Sequence, residues 1–109
     1  MRPKRSKHEA TFALALKASG PNKFEEQYRF DPDRKWKFDF CHKESLTAIE
    51  IDGGEFMRGA HNRGAQMARD YEKRNQAILS GWTVFQLTGQ MVQKAGPKWA
   101  KLIEAYTHG

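Results

Sequence analysis

The sequence predicts an α/β fold, a small mixed sheet with helices packed on it, and three observations predict it. Residues 35–41 (KWKFDFC) and 46–52 (LTAIEID) alternate apolar and polar side chains on either side of a short turn at residues 42–45, the period of two expected of strands. Residues 82–87 (WTVFQL) read as a later strand set between two helical stretches. Apolar residues recur at helical spacing before, between and after these runs, giving the order helix, three strands, helix, strand, helix.

Each element has its own signal. Ser6 followed by Glu9 fits a capping box, with Phe12, Ala15 and Leu16 spaced for a helix over 7–18 that Gly20-Pro21 stops. Residues 25–30 carry Tyr28 and Phe30 two apart and read as the first strand, and Asp31-Pro32-Asp33 is a turn. After the hairpin comes a loop with Gly53, Gly54, Gly59 and Gly64. Ala68, Tyr71, Ile78 and Leu79 mark an amphipathic helix over 65–79, ended by Gly81. Thr88 onward turns helical, and Pro97 opens a final helix with Trp99, Leu102, Ile103 and Tyr106 on one stripe.

The 109 residues fit one domain, 1–109, large enough for a core without staples. A single cysteine, Cys41, excludes an internal disulfide and a zinc site built mainly from thiolates. MRPKRSKHEA lacks the apolar run of a signal peptide, and no apolar run approaches the roughly 20 residues of a membrane span, so a soluble cytoplasmic protein is expected. Nineteen Lys and Arg against thirteen acids give a formal charge of +6, which favours a polyanionic partner, nucleic acid first and an anionic membrane surface second.

The acids of the hairpin stand out against this charge. Alternation puts Trp36, Phe38 and Phe40 on one face of the first hairpin strand and Asp39 on the other; Thr47, Ile49 and Ile51 oppose Ala48, Glu50 and Asp52 on the second. A register matching Phe40 to the isoleucines sets Asp39 beside Glu50. Like charges opposed on a sheet destabilise it, and Cys41 and Ala48 do not read as a wet face. Crowded carboxylates want a cation. A hard divalent ion such as Mg²⁺, or Mn²⁺ in its place, suits an oxygen site of one or two carboxylates completed by water and phosphate.

Asp39 on one strand and Glu50-Ile51-Asp52 on the next resemble the PD-(D/E)XK (restriction-endonuclease-like) nuclease superfamily, whose core runs helix, three strands, helix, strand. YRFDPDRKWKFDF, AIEIDGG, His61-Asn62-Arg63-Gly64 and EKRNQAILSGWTVFQLT are similar to small phage and prophage endonucleases related to the very-short-patch-repair type, over about Ser6 to Val92. The resemblance implies a Mg²⁺-dependent DNA endonuclease hydrolysing phosphodiester bonds in a bacterial host cell. It implies that Asp39 and Glu50 hold the metal with the Ile51 carbonyl, and that Glu9 supplies an outer acid, with Glu25 and Glu26 as rivals. Glu9 also has its ordinary place in the capping box. The chain departs from the family at position 52, where Asp52 stands in place of the motif lysine. Lys73, one turn after Asp70 on the following helix, is the substitute to expect; the plain alternative is a solvated pair with Asp70. Asp52 then takes a second metal or holds Lys73.

Around these residues, Arg63 suits a bidentate phosphate clamp, and His61 suits proton transfer or a DNA contact. Arg34, Lys35, Lys37, Arg58 and Arg69 suit the DNA backbone, or merely solubilise a sheet edge. Phe56 either wedges against a base or plugs its loop. Trp99 and Tyr106 read as packing, or as half of a homodimer seam if the last helix faces outward. Two further classes stay open: a nucleic-acid-binding module without catalysis, and a partner-binding protein on a degenerate nuclease fold, for which Asp52 is the best argument.

Overall fold

The computed structural model describes residues 6–52 and 63–108. Its elements run α1 (Lys7–Ser19), β1 (Glu25–Arg29), β2 (Lys37–His42), β3 (Thr47–Asp52), α2 (Arg63–Leu79), β4 (Thr83–Thr88) and α3 (Gly89–His108). The four strands form one sheet in the order β1-β2-β3-β4. The first two pairings are antiparallel and β3 pairs with β4 in parallel, so the sheet is mixed. A parallel pair requires a crossover, and α2 lies within it.

Local chemistry sets the ends. Ser6 Oγ accepts from the Glu9 N–H at 3.1 Å and caps α1. Gly81, with φ +97°, closes α2: its N–H donates to the Ile78 carbonyl, and the Trp82 N–H donates to the Ala77 carbonyl at 3.0 Å. That pair of bonds needs a left-handed residue between them, which glycine supplies without strain. α3 is two helical pieces joined by a kink at Ala95, two residues before Pro97, whose ring cannot continue a helical bond ladder. The break falls next to the expected start of the final helix.

Two packing layers flank the sheet. On one side Phe40, Ile49, Ile51 and Leu87 meet Phe12 and Leu16 of α1 and Val92, Ala100 and Ile103 of α3. On the other, Cys41 and Ala48 meet Ala77 of α2 with Phe38 and Trp82. The join between α1 and α3 is polar at one end: buried Glu104 accepts from the Asn22 N–H at 3.0 Å and lies 3.0 Å from His108 Nε2. A Cβ at Gly20 would run into the Glu104 carboxylate, so a larger residue there would have to displace it from its hydrogen bonds to Asn22 and His108.

Two expectations about packing are corrected. Phe38 and Phe40 do not share a face: Phe40 is edge-on to Phe12 at 5.9 Å, whereas Phe38 stacks on Phe30 at 4.1 Å and meets Trp82 on the opposite side. Both β1 and β2 change faces at the Gln27–Asp39 position, where Gln27 has φ +54°. The register is the same on either side, with Glu26 opposite Phe40 and Tyr28 opposite Phe38. The apolar stripe expected of α2 is also wrong. Tyr71, Ile78 and Leu79 are exposed, and Ala77 is buried, because small side chains let the helix approach the sheet.

Candidate functional site

The hairpin opens where its acids stand. Phe40 pairs with Ile49 and Cys41 with Ala48; one step further that register sets Asp39 opposite Glu50. There side chains take over from the strand ladder: the Ile51 N–H donates to Asp39 Oδ2 at 2.7 Å, and the Asp39 N–H donates to Glu50 Oε2 at 3.1 Å. Each carboxylate therefore accepts a backbone donor freed by the parting strands. The like charges still repel, Asp39 raising the Glu50 carboxyl, but each has a backbone donor of its own.

Lys73 reaches this place from α2. Its Nζ donates to Glu50 Oε1 at 2.5 Å, and both side chains are only 20% exposed. Burial pushes the Asp39 carboxyl above the usual carboxylate range, opposed by the Ile51 N–H and by Lys73. Burial likewise raises Glu50, with Lys73 pulling it down and Asp39 pushing it up. Desolvation is the largest influence on both, so burial disfavours the charged form of each carboxylate, and positive charge placed nearby would favour it.

These groups line a cavity of about 270 Å³. Glu9, Asp39, Glu50, Asp52 and Asp70 give it five carboxylates, and Lys73 and Arg74 bring two cations. Glu9 arrives from α1 and accepts from Gln27 Nε2 at 3.1 Å through Oε1. Its rivals point elsewhere: Glu25 pairs with Lys43 at 3.2 Å, and Glu26 lies beside Phe40 and Leu16 in a separate groove. Asp52 is exposed at the cavity rim.

The nucleic-acid candidates are less gathered. Arg34 is 3.2 Å from Asp31 Oδ2 and lies over the Trp36 ring at 4.8 Å, contacts that hold the β1–β2 turn together. Lys35 is exposed, Lys37 is half-buried, and Arg69 is exposed on α2. Arg63 begins α2. His61, Arg58, Phe56, Gly53, Gly54 and Gly59 lie outside the described residues. Tyr106 is turned onto its own chain, edge-on to Phe85 at 5.3 Å with its hydroxyl 3.1 Å from Thr83 Oγ1. Trp99 packs partly against the core.

Gln27 and Arg74 were missed by sequence reasoning. Arg74 Nε is buried without a hydrogen-bond partner, while its guanidinium stands 5.9 Å from the Tyr71 ring centre. Its position directly after Lys73 was the available signal; nothing marks Gln27 in the sequence. No family model, curated protein or solved structure matches the chain, so the site is read from its own geometry.

Proposed function

We propose that the protein is a metal-dependent DNA endonuclease of the PD-(D/E)XK type, hydrolysing phosphodiester bonds at the Asp39–Glu50–Lys73 cavity. The observation that supports it is the lysine brought from α2 to within 2.5 Å of Glu50, on a chain whose strand offers Asp52 where the resembled family has lysine. The donor set fits Mg²⁺ at its lower limit, since Asp39 and Glu50 with the Ile51 carbonyl supply oxygens, and Mg²⁺ takes its remaining ligands from water and phosphate. Such an ion supplies positive charge that polarises the phosphodiester and the attacking water. The chain's own residues set the frame: Asp39 and Glu50 would form the acidic face, Lys73, paired with Glu50, would lend its compact charge to the developing phosphorane, and Arg74, which lines the same cavity, would meet a phosphate oxygen. The basic surface carries the DNA backbone.

A second reading has its own observation. Among the described residues no group of three or more His, Cys, Asp or Glu side chains is placed to hold a metal ion, and Glu50 is already paired with Lys73. On the count of ligands this favours a non-catalytic nucleic-acid-binding or partner-binding protein on a degenerate nuclease fold; the carboxylate–lysine geometry recommends the enzyme. Incubation with linear, nicked and branched DNAs in Mg²⁺, Mn²⁺ or EDTA separates the two. The enzyme cuts with metal alone, and Asp39→Ala or Glu50→Ala abolishes cutting while DNA binding survives. Folded protein that binds DNA and cuts none of the panel makes the second reading the right one.

A further inference from the structure

α2 carries a row of apolar side chains that its own chain leaves half open. Met67, Tyr71 and Ile78 are 47%, 49% and 53% exposed. Spacings of four and seven residues put them on one line along the helix, and Arg74 falls on the same line. The helix meets the sheet on a different face, marked by buried Ala77. From Met67 to Ile78 the row is about 16 Å long, three turns of helix. One exposed apolar side chain is ordinary, whereas a continuous row of them on one helix is a surface suited to a partner.

The order of residues in the row indicates which partner. Along the helix it reads Met67, Tyr71, Arg74, Ile78, with apolar groups at the ends and a ring beside a cation in the middle. Turned end for end, the row matches itself. An antiparallel second copy sets Met67 against Ile78 at both ends and Tyr71 against Arg74 between them, each pair made twice across a two-fold axis. Guanidinium and ring attract, and each Arg74, already 5.9 Å from the ring centre of its own Tyr71, gains a second ring. A parallel copy would instead set Arg74 against Arg74, a repulsion of like charges. Other occupants match less well. A polyanion meets one cation among three apolar groups, and a wholly apolar peptide leaves Arg74 without a counterpart.

We propose that the Met67–Tyr71–Arg74–Ile78 row of α2 is the seam of an antiparallel homodimer, with a second copy of this chain as its occupant. The inference goes beyond the nuclease reading and does not rest on it. One helix face is smaller than the roughly 800 Å² per partner of a standard interface, so the dissociation constant is expected on the order of 10 to 100 μM.

Sedimentation equilibrium of the full chain in EDTA, without DNA, from about 5 to about 500 μM brackets that range. The parent should pass from monomer to dimer across it. Met67→Glu and Ile78→Glu each place two charges in the seam and should raise the dissociation constant at least tenfold, with melting temperatures within a few degrees of the parent because both positions are half exposed. Leu102→Glu, on the exposed side of α3, should leave the dimer unchanged. Cysteine pairing reads the direction of the helices: Met67→Cys chains mixed with Ile78→Cys chains in a glutathione buffer should give the mixed disulfide well above either symmetric one, since symmetric pairs lie far beyond disulfide reach. Cys41 is buried and takes no part. A parent that stays monomeric at the highest concentration overturns the proposal. If Met67→Glu and Ile78→Glu then weaken DNA binding, the row faces DNA instead. A dimer indifferent to both changes, or broken by Leu102→Glu, overturns it as well, and an excess of symmetric disulfides overturns the antiparallel seam.

Discussion

Replacing Lys73 by Met keeps most of the stem and removes the charge that lies 2.5 Å from Glu50 Oε1. At an effective dielectric of about 20 the attraction at that separation is roughly 6 to 7 kcal/mol before desolvation. Much of this offsets the cost of taking two ions out of water, and removing one partner of a buried pair typically costs about 3 to 5 kcal/mol. Both side chains keep some exposure, and Glu50 retains the Asp39 N–H, so about 2 to 3 kcal/mol is expected at pH 7.5. For a domain of this size that lowers the melting temperature by on the order of 10 °C. The loss depends on pH with a definite sign. Glu50 is already raised by burial and loses the cation that pulls it down, so its folded pKa rises further in the variant. A carboxylate raised on folding contributes stability that is present below its usual value of 4.5 and lost as pH rises through the folded value. The variant's deficit should therefore shrink below pH 4.5 and be complete at neutral pH. Urea unfolding at both pH values, in a double-mutant cycle with Glu50→Gln, measures the coupling. Cleavage by the folded variant should fall about 100- to 1000-fold, the usual cost of one charge-stabilising donor. A coupling under about 0.5 kcal/mol together with a rate within about twofold of the parent would refute the reasoning.

Other consequences follow from the same geometry. Asp39→Asn keeps an acceptor for the Ile51 N–H and removes a charge disfavoured by burial, so without divalent ions it should melt above the parent at neutral pH; the gain should vanish as pH falls below 3.8, and cutting should be lost at every pH. Arg74→Met removes a buried donor that has no partner, so stability by urea unfolding should be unchanged or higher by about 1 kcal/mol, while DNA affinity measured by anisotropy should fall several-fold. Cys41 is fully buried and its thiol is pushed up to about 12, chiefly by burial and then by Glu25; iodoacetamide at pH 8 should leave the native chain unmodified by mass spectrometry and label it on unfolding.

Element order was readable because it rests on strong local signals: a capped helix, a hairpin with period two, and glycine or proline at the ends. The acidic pair was readable for the same reason, since alternation alone sets Asp39 against Glu50 once Phe40 meets Ile49. Lys73 came only from the resemblance, whose motif lysine is missing at position 52 and is expected from the following helix instead. The change of faces at Gln27 was not legible, because a left-handed glutamine leaves no mark like that of glycine, and a simple period of two then misplaced Phe38. The packing of α2 escaped for a different reason. A large apolar residue draws attention on a helical wheel, yet the contact is made by Ala77, whose value lies in its lack of bulk. Arg34 shows the limit of reading charge from composition: its local partners, Asp31 and Trp36, claim it first.

The Glu104 join between α1 and α3 bears on when the cavity comes into being during synthesis. The Asn22 N–H and the Glu104 carboxylate are separated by 82 positions, and α1 lies under the same end of α3. The ribosome delivers residues 6–52 first, so Glu9, Gln27, Asp39 and Glu50 all emerge before the helix that clamps α1 exists. A nascent chain halted after β4 would own every acid of the site and lack the Val92, Ala100 and Ile103 surface against which Phe12 and Leu16 are buried. Closing so long a loop is slow compared with forming a helix or a hairpin. Ribosome-bound chains cut short of α3 would thus leave Glu9 on an unanchored helix, and a competent cavity would appear only once residue 104 has cleared the exit tunnel.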